Sequence, residues 1–346
     1  MTDSSALSHL IEPGIHVGYV NSLLEFLQGL GLPRHQVLQW MPDLRVELQQ
    51  DWIKARHLNE LYLRAGLVLQ NPHLGLHFGH QASAGSFRMV GFLAVSAPDL
   101  LSSLQTVLHY QSLYSRIGKM VLRRQESCLS LCWDAIWPRQ WMAPAAVEAS
   151  IAGWHHLGLN MLGHKINAAH VTFKHANQGD LALYERAFGC PVYFGSEYDA
   201  IYLNQKDLAC AVPESDQLVH ETLLEKSSRI LAVRDDEPFV DRVEQVLKLQ
   251  GQGRILAVED VADYLSLSAG ELRRLLKKSN LGYRILCDRA KFLESLELIL
   301  QQEVDFVDIA LQLGFAEQSV FTRAFRRWTG MSPLAYRKRL RRALPV

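Results

Sequence analysis

The chain has 346 residues, with 36 basic and 36 acidic side chains and a hydrophobic fraction of 48%. This composition excludes a disordered or fibrous protein, and the length is sufficient for two domains with separate cores. Polar residues interrupt every apolar stretch, and residues 1–10 lack the basic start and apolar run of a secretion signal. We therefore expect a cytoplasmic protein without a membrane span.

The first two thirds of the chain mix helical and strand patterns. Apolar residues at helical spacing predict helices over residues 17–30, 52–69, 100–114 and 145–162. Alternation predicts two strands within residues 119–133, joined by a short polar turn, and further strands over 170–174 and 192–194. This mixture predicts an α+β domain.

The five cysteines are odd in number, widely scattered and without a Cys-x-x-Cys pair. A disulfide framework is therefore not expected. Cys128 and Cys132 stand four residues apart in an alternating stretch, which places both on one face of a strand. We expect them to be buried thiols.

Three of the 14 histidines have the spacing of one helix face. His73, His77 and His80 stand four and three residues apart, so a helix would present their imidazoles together, as a metal site requires. No cysteine or carboxylate joins them locally. We therefore expect a partly exposed structural helix and no metal site.

Large aromatic residues are concentrated between residues 133 and 154. Such residues line apolar ligand cavities that have few polar anchors, but they are also common in ordinary cores, and both interpretations stay open at this point. Histidines close to Trp154 and isolated polar residues upstream can supply the anchors. The candidate effector-binding residues are Arg88, His109, Trp133, Trp154 and His155.

The sequence contains none of the common catalytic or nucleotide-binding motifs. A glycine-rich phosphate loop, a Gly-x-Ser-x-Gly nucleophile turn and a His-Glu-x-x-His zinc motif are all absent. We therefore expect neither an enzyme nor a bound cofactor.

The charge distribution divides the chain. Residues 239–346 hold 18 of the 36 basic side chains but 13 of the 36 acidic ones, and such a basic segment attracts polyanions. The charged, proline-containing stretch 234–239 marks a boundary, and the helical pattern before it predicts a connecting helix. The expected organisation is a first domain over 1–212, a connecting helix and linker over 213–238, and a second domain over 239–346.

A helix-turn-helix pattern begins at residue 258. A short helix with the small residue Ala262 at its point of closest approach is followed by a tight turn. Ser268 can cap the next helix, with Glu271 three residues later completing a capping box. The leucines of this second helix form its buried stripe and leave four basic residues exposed, namely Arg273, Arg274, Lys277 and Lys278.

The same plan recurs later in the chain. Residues 305–315 predict a short helix with Ala310 at the small position and Gly314 in the turn, where a left-handed backbone is easiest for glycine. The following helix, over 317–328, buries its aromatic residues on one side. The helical pattern over 283–300 predicts a linking helix that spaces the two units for successive major grooves of a duplex.

The second helix-turn-helix unit contains a long and specific sequence motif. Ile-Ala-Leu-Gln-Leu-Gly-Phe at 309–315, then residues 321–333 ending in Arg-Trp-Thr-Gly-Met-Ser-Pro, and Tyr336-Arg337 resemble the signature of the AraC/XylS family of transcription regulators. The resemblance covers residues 239–342. Upstream, segments within 71–101 and 188–194 more loosely resemble the arabinose-binding-type sensor domain of the OruR/VirS-like branch, over residues 18–210.

The resemblance implies an α+β sensor domain followed by an all-α domain with two helix-turn-helix units joined by a linking helix. It also implies that the second helix of each unit enters the major groove of promoter DNA. The expected DNA-binding residues are Arg273, Arg274, Lys277, Gln318, Ser319, Thr322, Arg323, Arg326 and Arg327. Arg274, Arg326 and Arg327 are expected on the phosphate backbone.

One position of the second unit departs from the family pattern. Ala316 stands where a capping hydroxyl is common, and Glu317 is expected to compensate in part by placing a carboxylate at the positive end of the helix.

The resemblance further implies an effector-responsive homodimer that acts beside RNA polymerase, more often as an activator. The alternative is a regulator whose first domain only dimerises or binds a protein partner. A solid core in that domain would favour the alternative, whereas a buried cavity would favour a small-molecule effector.

Overall fold

The computed structural model describes residues 12–124, 128–136, 142–163, 168–232, 237–251, 256–278, 281–300 and 304–343. The chain divides into two compact units, the first comprising Gly14–Ser227 and the second comprising Glu12, Pro13 and the described residues from Ser228 onward.

The first unit contains two β-sheets. Strands β1 (Gly14–His16) and β2 (Trp52–Lys54) pair antiparallel. The other strands are β3 (Gly118–Arg124), β4 (Cys128–Ala135), β5 (His170–Thr172), β6 (Val192–Tyr193) and β7 (Ala200–Asn204). They form one sheet in the order β3-β4-β7-β5-β6, in which β5 and β6 are parallel and the other pairs are antiparallel.

Helices surround these sheets. They are α1 (Val17–Gly29), α2 (Arg34–Trp40), α3 (Pro42–Glu47), α4 (Ala55–Leu69), α5 (Leu74–Gly79), α6 (Arg88–Ser96), α7 (Leu100–Tyr110), α8 (Pro144–Met161) and α9 (Leu181–Phe188). Helix α10 (Gln217–Ala232) begins in the first unit and ends in the second. Within the described ranges, no helix has both the length and the apolar character that a bilayer crossing needs.

The α+β prediction is confirmed, with two shorter helices than expected. Residues 52–54 form β2 because they pair with β1, so α4 begins only at Ala55. Helix α7 ends at Tyr110 because Gln111 turns back onto the next strand: its side-chain oxygen accepts from the Met120 N–H at 2.6 Å, and its amide donates to the Met120 carbonyl at 3.1 Å.

Strand β7 was not predicted, although it lies at the centre of the large sheet. It pairs with β4 on one side and with β5 on the other. Its first three residues, Ala200, Ile201 and Tyr202, are all buried, so they lack the alternation of a half-exposed strand. The cysteine prediction is confirmed for Cys132, which is buried against Ala200 and Tyr202, but it is wrong for Cys128, which is only half-buried at the edge of the same cluster.

Two glycines allow α5 to lie directly against α8. A Cβ atom added to Gly75 would stand 1.9 Å from the Ala145 carbonyl oxygen, and one added to Gly79 would stand 2.6 Å from the Ala152 Cβ. The facing residues of α8 are themselves small. This close approach fixes α8, which carries the candidate cavity residues described below.

Of the three spaced histidines, His77 lies inside a helix and the other two flank it. Helix α5 has only six residues, and His73 precedes it as its N-cap residue. The His73 Nε2 atom accepts from the Asp180 N–H at 3.2 Å, and His80 Nε2 lies 2.6 Å from the Ala187 carbonyl oxygen. Both side chains therefore hold α9 in place. Among the described residues, no three potential metal ligands come together.

The second unit is helical. Its elements after α10 are α11 (Glu237–Gly251), α12 (Val258–Tyr264), α13 (Ala269–Lys278), α14 (Tyr283–Leu300), α15 (Phe306–Gln312), α16 (Gln318–Thr329) and α17 (Pro333–Ala343). One buried cluster joins α11, α12 and α13 to Leu286 of α14. Further along α14, Phe292 is buried next to Phe325 and Trp328 of α16. The long helix α14 thus belongs to both cores.

Candidate functional site

Helices α12 and α13 form the first helix-turn-helix unit. The turn is closed by the Leu267 N–H, which donates to the Ala262 carbonyl at 2.9 Å. Ser266 has a left-handed backbone with φ of +56°. Ala262 is fully buried, so the small side chain lies where the two helices approach each other, as predicted.

The predicted capping box of α13 is present. The Glu271 N–H donates to the Ser268 hydroxyl at 3.2 Å, and the Ser268 N–H donates to the Glu271 carboxylate at 3.0 Å. The Ser268 N–H and hydroxyl donors lower the pKa of Glu271, because they favour its charged form. The start of this helix is therefore fixed by local chemistry.

Helices α15 and α16 repeat the same turn. The Phe315 N–H donates to the Ala310 carbonyl at 2.8 Å, as Leu267 does to Ala262 in the first unit. Gly314, with φ of +69°, takes the place of Ser266. The two units therefore share one backbone plan, with glycine at the left-handed position of the second.

The start of α16 differs from the prediction. Its N-cap residue is Glu317 rather than Ala316, and the Glu317 side chain makes no capping bond to the helix backbone. Instead, its carboxylate accepts a hydrogen bond from the Ser319 hydroxyl. Ser319, which is expected to contact bases, is thus paired with Glu317 at the start of the helix.

Two charged side chains of α14, Lys291 and Asp288, bond to the second helix-turn-helix unit. The buried Lys291 ammonium donates to the Leu313 carbonyl, in the turn of the unit, and lies 4.3 Å from the centre of the Phe315 ring. Its pKa is lowered, mainly because burial disfavours the charged form. The Arg327 guanidinium donates to both carboxylate oxygens of Asp288, at 2.9 and 2.8 Å.

Two of the expected DNA-binding residues are paired with carboxylates in the ligand-free structure. Arg327 is half-buried, and its ion pair with Asp288 ties α16 to α14. Arg273 is exposed but pairs with Glu259 of α12 at 2.9 Å. Arg273 can reach a base only if it leaves this exposed ion pair, which is a weak one.

The other expected residues project from the second helices of the two units. Thr322 is half-buried. The exposed residues among them are Arg274 and Lys277 on α13 and Gln318, Ser319, Arg323 and Arg326 on α16. Together with Thr322, we call these residues the outward surface. Its guanidinium, amide and hydroxyl groups are suited to base edges and phosphates.

The first compact unit of the chain, Gly14–Ser227, contains an apolar cavity of about 70 Å³ between α7, α8 and the face of the large sheet. Leu104 of α7, Met161 of α8, Leu131 of β4 and Ile201 of β7 line it. Ser103 also lines it, but its hydroxyl is directed to the Met161 sulfur at 3.5 Å. None of the described lining residues is charged.

The structure brings only two of the five effector candidates to this cavity. Trp154 and His155 line it. Trp133 is buried against Gly118, where an added Cβ would meet its ring at 2.3 Å, because the bulky indole fills the space that the glycine leaves. Arg88 and His109 are exposed and lie away from this cavity. The other two tryptophans between residues 133 and 154, Trp137 and Trp141, and the histidine His164 that follows α8 fall outside the described residues.

His155 has an unusual environment. Its side chain is 5% exposed and packs against Phe188 with ring centres 5.1 Å apart. In the described part of the chain, neither ring nitrogen has a hydrogen-bond partner. Burial lowers the pKa of His155 to about 4, with the nearby His80 and His156 adding to the effect. The ring is therefore neutral at pH 7, and leaving its nitrogens unpaired costs about 1–3 kcal/mol of stability.

Only part of this cavity can be predicted from the amino-acid sequence. Trp154 and His155 stood out by composition, whereas the apolar walls from α7, β4 and β7 did not. Those residues are ordinary leucines, isoleucines and valines in regular elements. Lys291 was also missed, although a lone lysine within the apolar stripe of a linking helix is a usable signal.

Comparison with known proteins gives two family matches. Residues 41–212 match the arabinose-binding domain found at the N-terminus of AraC transcription regulators. Residues 261–339 match a helix-turn-helix domain. The first match lies within the first unit and the second match within the second.

Relatives extend over nearly the whole chain. It is 24% identical over 333 residues to the ornithine utilization regulator of Pseudomonas aeruginosa, covering 94% of this chain and 96% of that protein. It is 24% identical over 275 residues to the transcriptional regulator VirS of Mycobacterium tuberculosis, covering 78% and 79%. The crystal structure of the transcriptional regulator CdpR from P. aeruginosa is 21% identical and covers 80% of this chain and 90% of that chain, with a TM-score of 0.43.

Proposed function

The chain belongs to the AraC/XylS family of DNA-binding transcription regulators, and from this we propose that it is a cytoplasmic homodimer that activates transcription under the control of a small-molecule effector. The observation that carries the proposal is the pair of matching helix-turn-helix units on one shared helix, α14. Helices α13 and α16 would enter successive major grooves and position the protein for contact with RNA polymerase.

Base reading in this proposal rests mainly on α16. Arg323 can form a fork onto guanine, Gln318 can bond an adenine edge, and Thr322 offers a hydroxyl and a methyl group. Ser319 can contribute after its hydroxyl leaves Glu317. Arg274, Lys277 and Arg326 supply sequence-independent attraction to phosphates.

We expect Thr322→Ala and Arg323→Ala each to weaken binding to the specific site by about 1–3 kcal/mol. The sites are obtained by genome-wide capture of DNA bound in cells, and affinities are then measured by titration of a captured duplex and of a scrambled duplex. Random DNA should be less affected, because these side chains are assigned to bases.

Arg186→Ala is a suitable control, because Arg186 is an exposed arginine of the first unit. It should leave both affinities unchanged. An equal loss on captured and scrambled DNA for Arg323→Ala would show that this arginine contacts only phosphates. Diffuse capture with no enriched motif would overturn sequence-specific regulation altogether.

A second expected result separates two neighbouring arginines. Arg326→Gln should reduce the slope of log affinity against log salt concentration by about 0.9, because one phosphate contact is lost. Arg327→Gln should leave that slope unchanged and cost less than about 1 kcal/mol in stability, because Arg327 is half-exposed in its pair with Asp288. Equal slope changes for both variants would place Arg327 on DNA.

Effector control is supported by contacts of α7 with the segment before α10, and of α6, which contributes Ala94 to the cavity lining, with α10 itself. The Leu100 N–H of α7 donates to the Cys210 carbonyl at 3.0 Å, just before α10. On α10 itself, His220 Nδ1 lies 3.0 Å from the Ser96 hydroxyl of α6, and the Ser227 hydroxyl contacts the Met89 sulfur. A ligand that displaces α6 or α7 would therefore displace α10, which continues into the second unit.

The cavity supports this function over a first unit that only dimerises. A solid core between α7, α8 and the sheet would have favoured the dimerisation module. In the proposed mechanism, the effector shifts the population toward a state in which both protomers engage their DNA sites together, so its strength is set by its differential affinity for the two states.

A further inference from the structure

The cavity of the first unit contains a feature that ordinary core packing does not explain. Its walls are apolar, and the one deeply buried ring in them, His155, has two nitrogens without partners among the described residues. Buried polar groups are nearly always hydrogen-bonded, so an unpaired one beside an empty space indicates a partner that enters that space. Ser103, the other polar side chain considered above, is already turned to Met161.

The chemistry of the walls restricts that partner. No described lining residue carries a charge, so an anion, a cation or a zwitterion would lose its hydration without compensation. A neutral imidazole has one N–H donor and one nitrogen acceptor, so it can bond a hydroxyl or a carbonyl group. Trp154, whose indole stacks on Phe87 with ring centres 4.0 Å apart, also lines the cavity.

We propose that the effector is a small, uncharged, mainly apolar molecule with one hydroxyl or carbonyl group, and that it binds in this cavity with His155 as its hydrogen-bonding partner. This inference rests on the effector control proposed above.

The size of the cavity connects binding to a change in structure. A volume of about 70 Å³ is less than half of the roughly 150 Å³ that holds benzene in an engineered apolar cavity. A ligand with a six-membered ring therefore fits completely inside only if α7 or α8 moves away from the sheet. Since α7 and α6 hold the segment that leads into α10, this movement is the one that the proposed function requires.

The test uses the full chain and three probes of similar size: benzyl alcohol, toluene and benzoate. Binding is measured by calorimetric titration and by the change in melting temperature. Two variants accompany the wild type. His155→Leu removes the hydrogen-bonding nitrogens at similar volume, and Gly158→Leu fills the cavity from α8, where a Cβ added to Gly158 would meet nothing within 4 Å.

Benzyl alcohol should bind the wild type in the millimolar range, and benzoate should not bind detectably. His155→Leu should weaken benzyl alcohol about 10-fold but change toluene less than about 3-fold, and it should raise the melting temperature of the ligand-free protein because an unpaired polar group is removed. Gly158→Leu should abolish binding of both neutral probes. The proposal is overturned if neither neutral probe binds the wild type, or if benzoate binds it as tightly as benzyl alcohol does. It is also overturned if both variants bind the neutral probes as tightly as the wild type does.

A promoter reporter in cells separates this inference from the proposed function. If expression responds to growth conditions with the wild type but not with Gly158→Leu, the cavity is the effector site. If both respond equally, effector control stands and the assignment of the cavity fails. If expression with the wild type never changes with conditions, effector control itself fails, and the effector assignment of the cavity with it.

Discussion

Replacing Gly75 by alanine is expected to lower the free energy of unfolding of the first unit by about 3 kcal/mol or more. The added Cβ would stand 1.9 Å from the Ala145 carbonyl oxygen and 2.6 Å from the carbonyl carbon. These are backbone atoms, which cannot rotate away as a flexible side chain does. The helices α5 and α8 must move apart, and overpacking of this kind costs about 1–3 kcal/mol even where side chains can adjust.

The measurement is hydrogen exchange by mass spectrometry on the full chain, because it gives the opening free energy of each unit separately. Gly29→Ala is the matched control. Gly29 also lies in a helix, near the end of α1, but an added Cβ there meets nothing within 4 Å. It should be neutral or stabilising by up to about 1 kcal/mol, because alanine is the better helix former. Equal protection in the two variants would refute the close approach of α5 and α8.

Trp328→Ala is expected to destabilise the second unit by about 3–5 kcal/mol. The indole is fully buried and has ring neighbours on three elements: Phe325 on α16, Phe315 in the turn and Phe292 on α14, each with ring centres 6.1 Å away. Its loss would leave a large cavity where α14 meets the second helix-turn-helix unit. Specific DNA binding should fall with it.

Trp328→Phe gives the matched comparison. The indole nitrogen has no hydrogen-bond partner within the described ranges, so phenylalanine removes an unsatisfied donor while keeping most of the packing. We expect a loss of less than half that of the alanine variant. Hydrogen exchange should place both effects in the second unit and leave the protection of α5 and α8 unchanged. A phenylalanine variant as unstable as the alanine variant would mean that the indole N–H is paired after all.

The sequence predicted the helix-turn-helix units well because their signals are local. Ser268 and Glu271 are three residues apart and cap each other, and Gly314 alone supplies the left-handed backbone of its turn. Ala262 and Ala310 identify the points of close approach. Each of these constraints acts within a few residues, so the pattern of residue types along the chain is enough to locate it.

The features that were missed or misplaced depend on residues that are distant in sequence. His73 is turned toward Asp180, and Arg327 toward Asp288, and no local pattern announces either partner. The effector candidates Arg88, His109 and Trp133 have suitable chemistry, but only the packing of α7 and α8 on the sheet decides which side chains reach the cavity. Strand β7 was missed because burial of consecutive residues removed its periodicity.

The shared helix α14 has a consequence for the DNA that this protein can recognise. Leu286 is embedded in the core of the first helix-turn-helix unit, while Lys291 and Asp288 are bonded to the second, so neither unit can slide along α14. One base pair inserted between two half-sites rotates the second by about 34° around the duplex axis. A rigid reader cannot follow that rotation, and insertions or deletions in the spacer of an operator should therefore be more damaging than substitutions there.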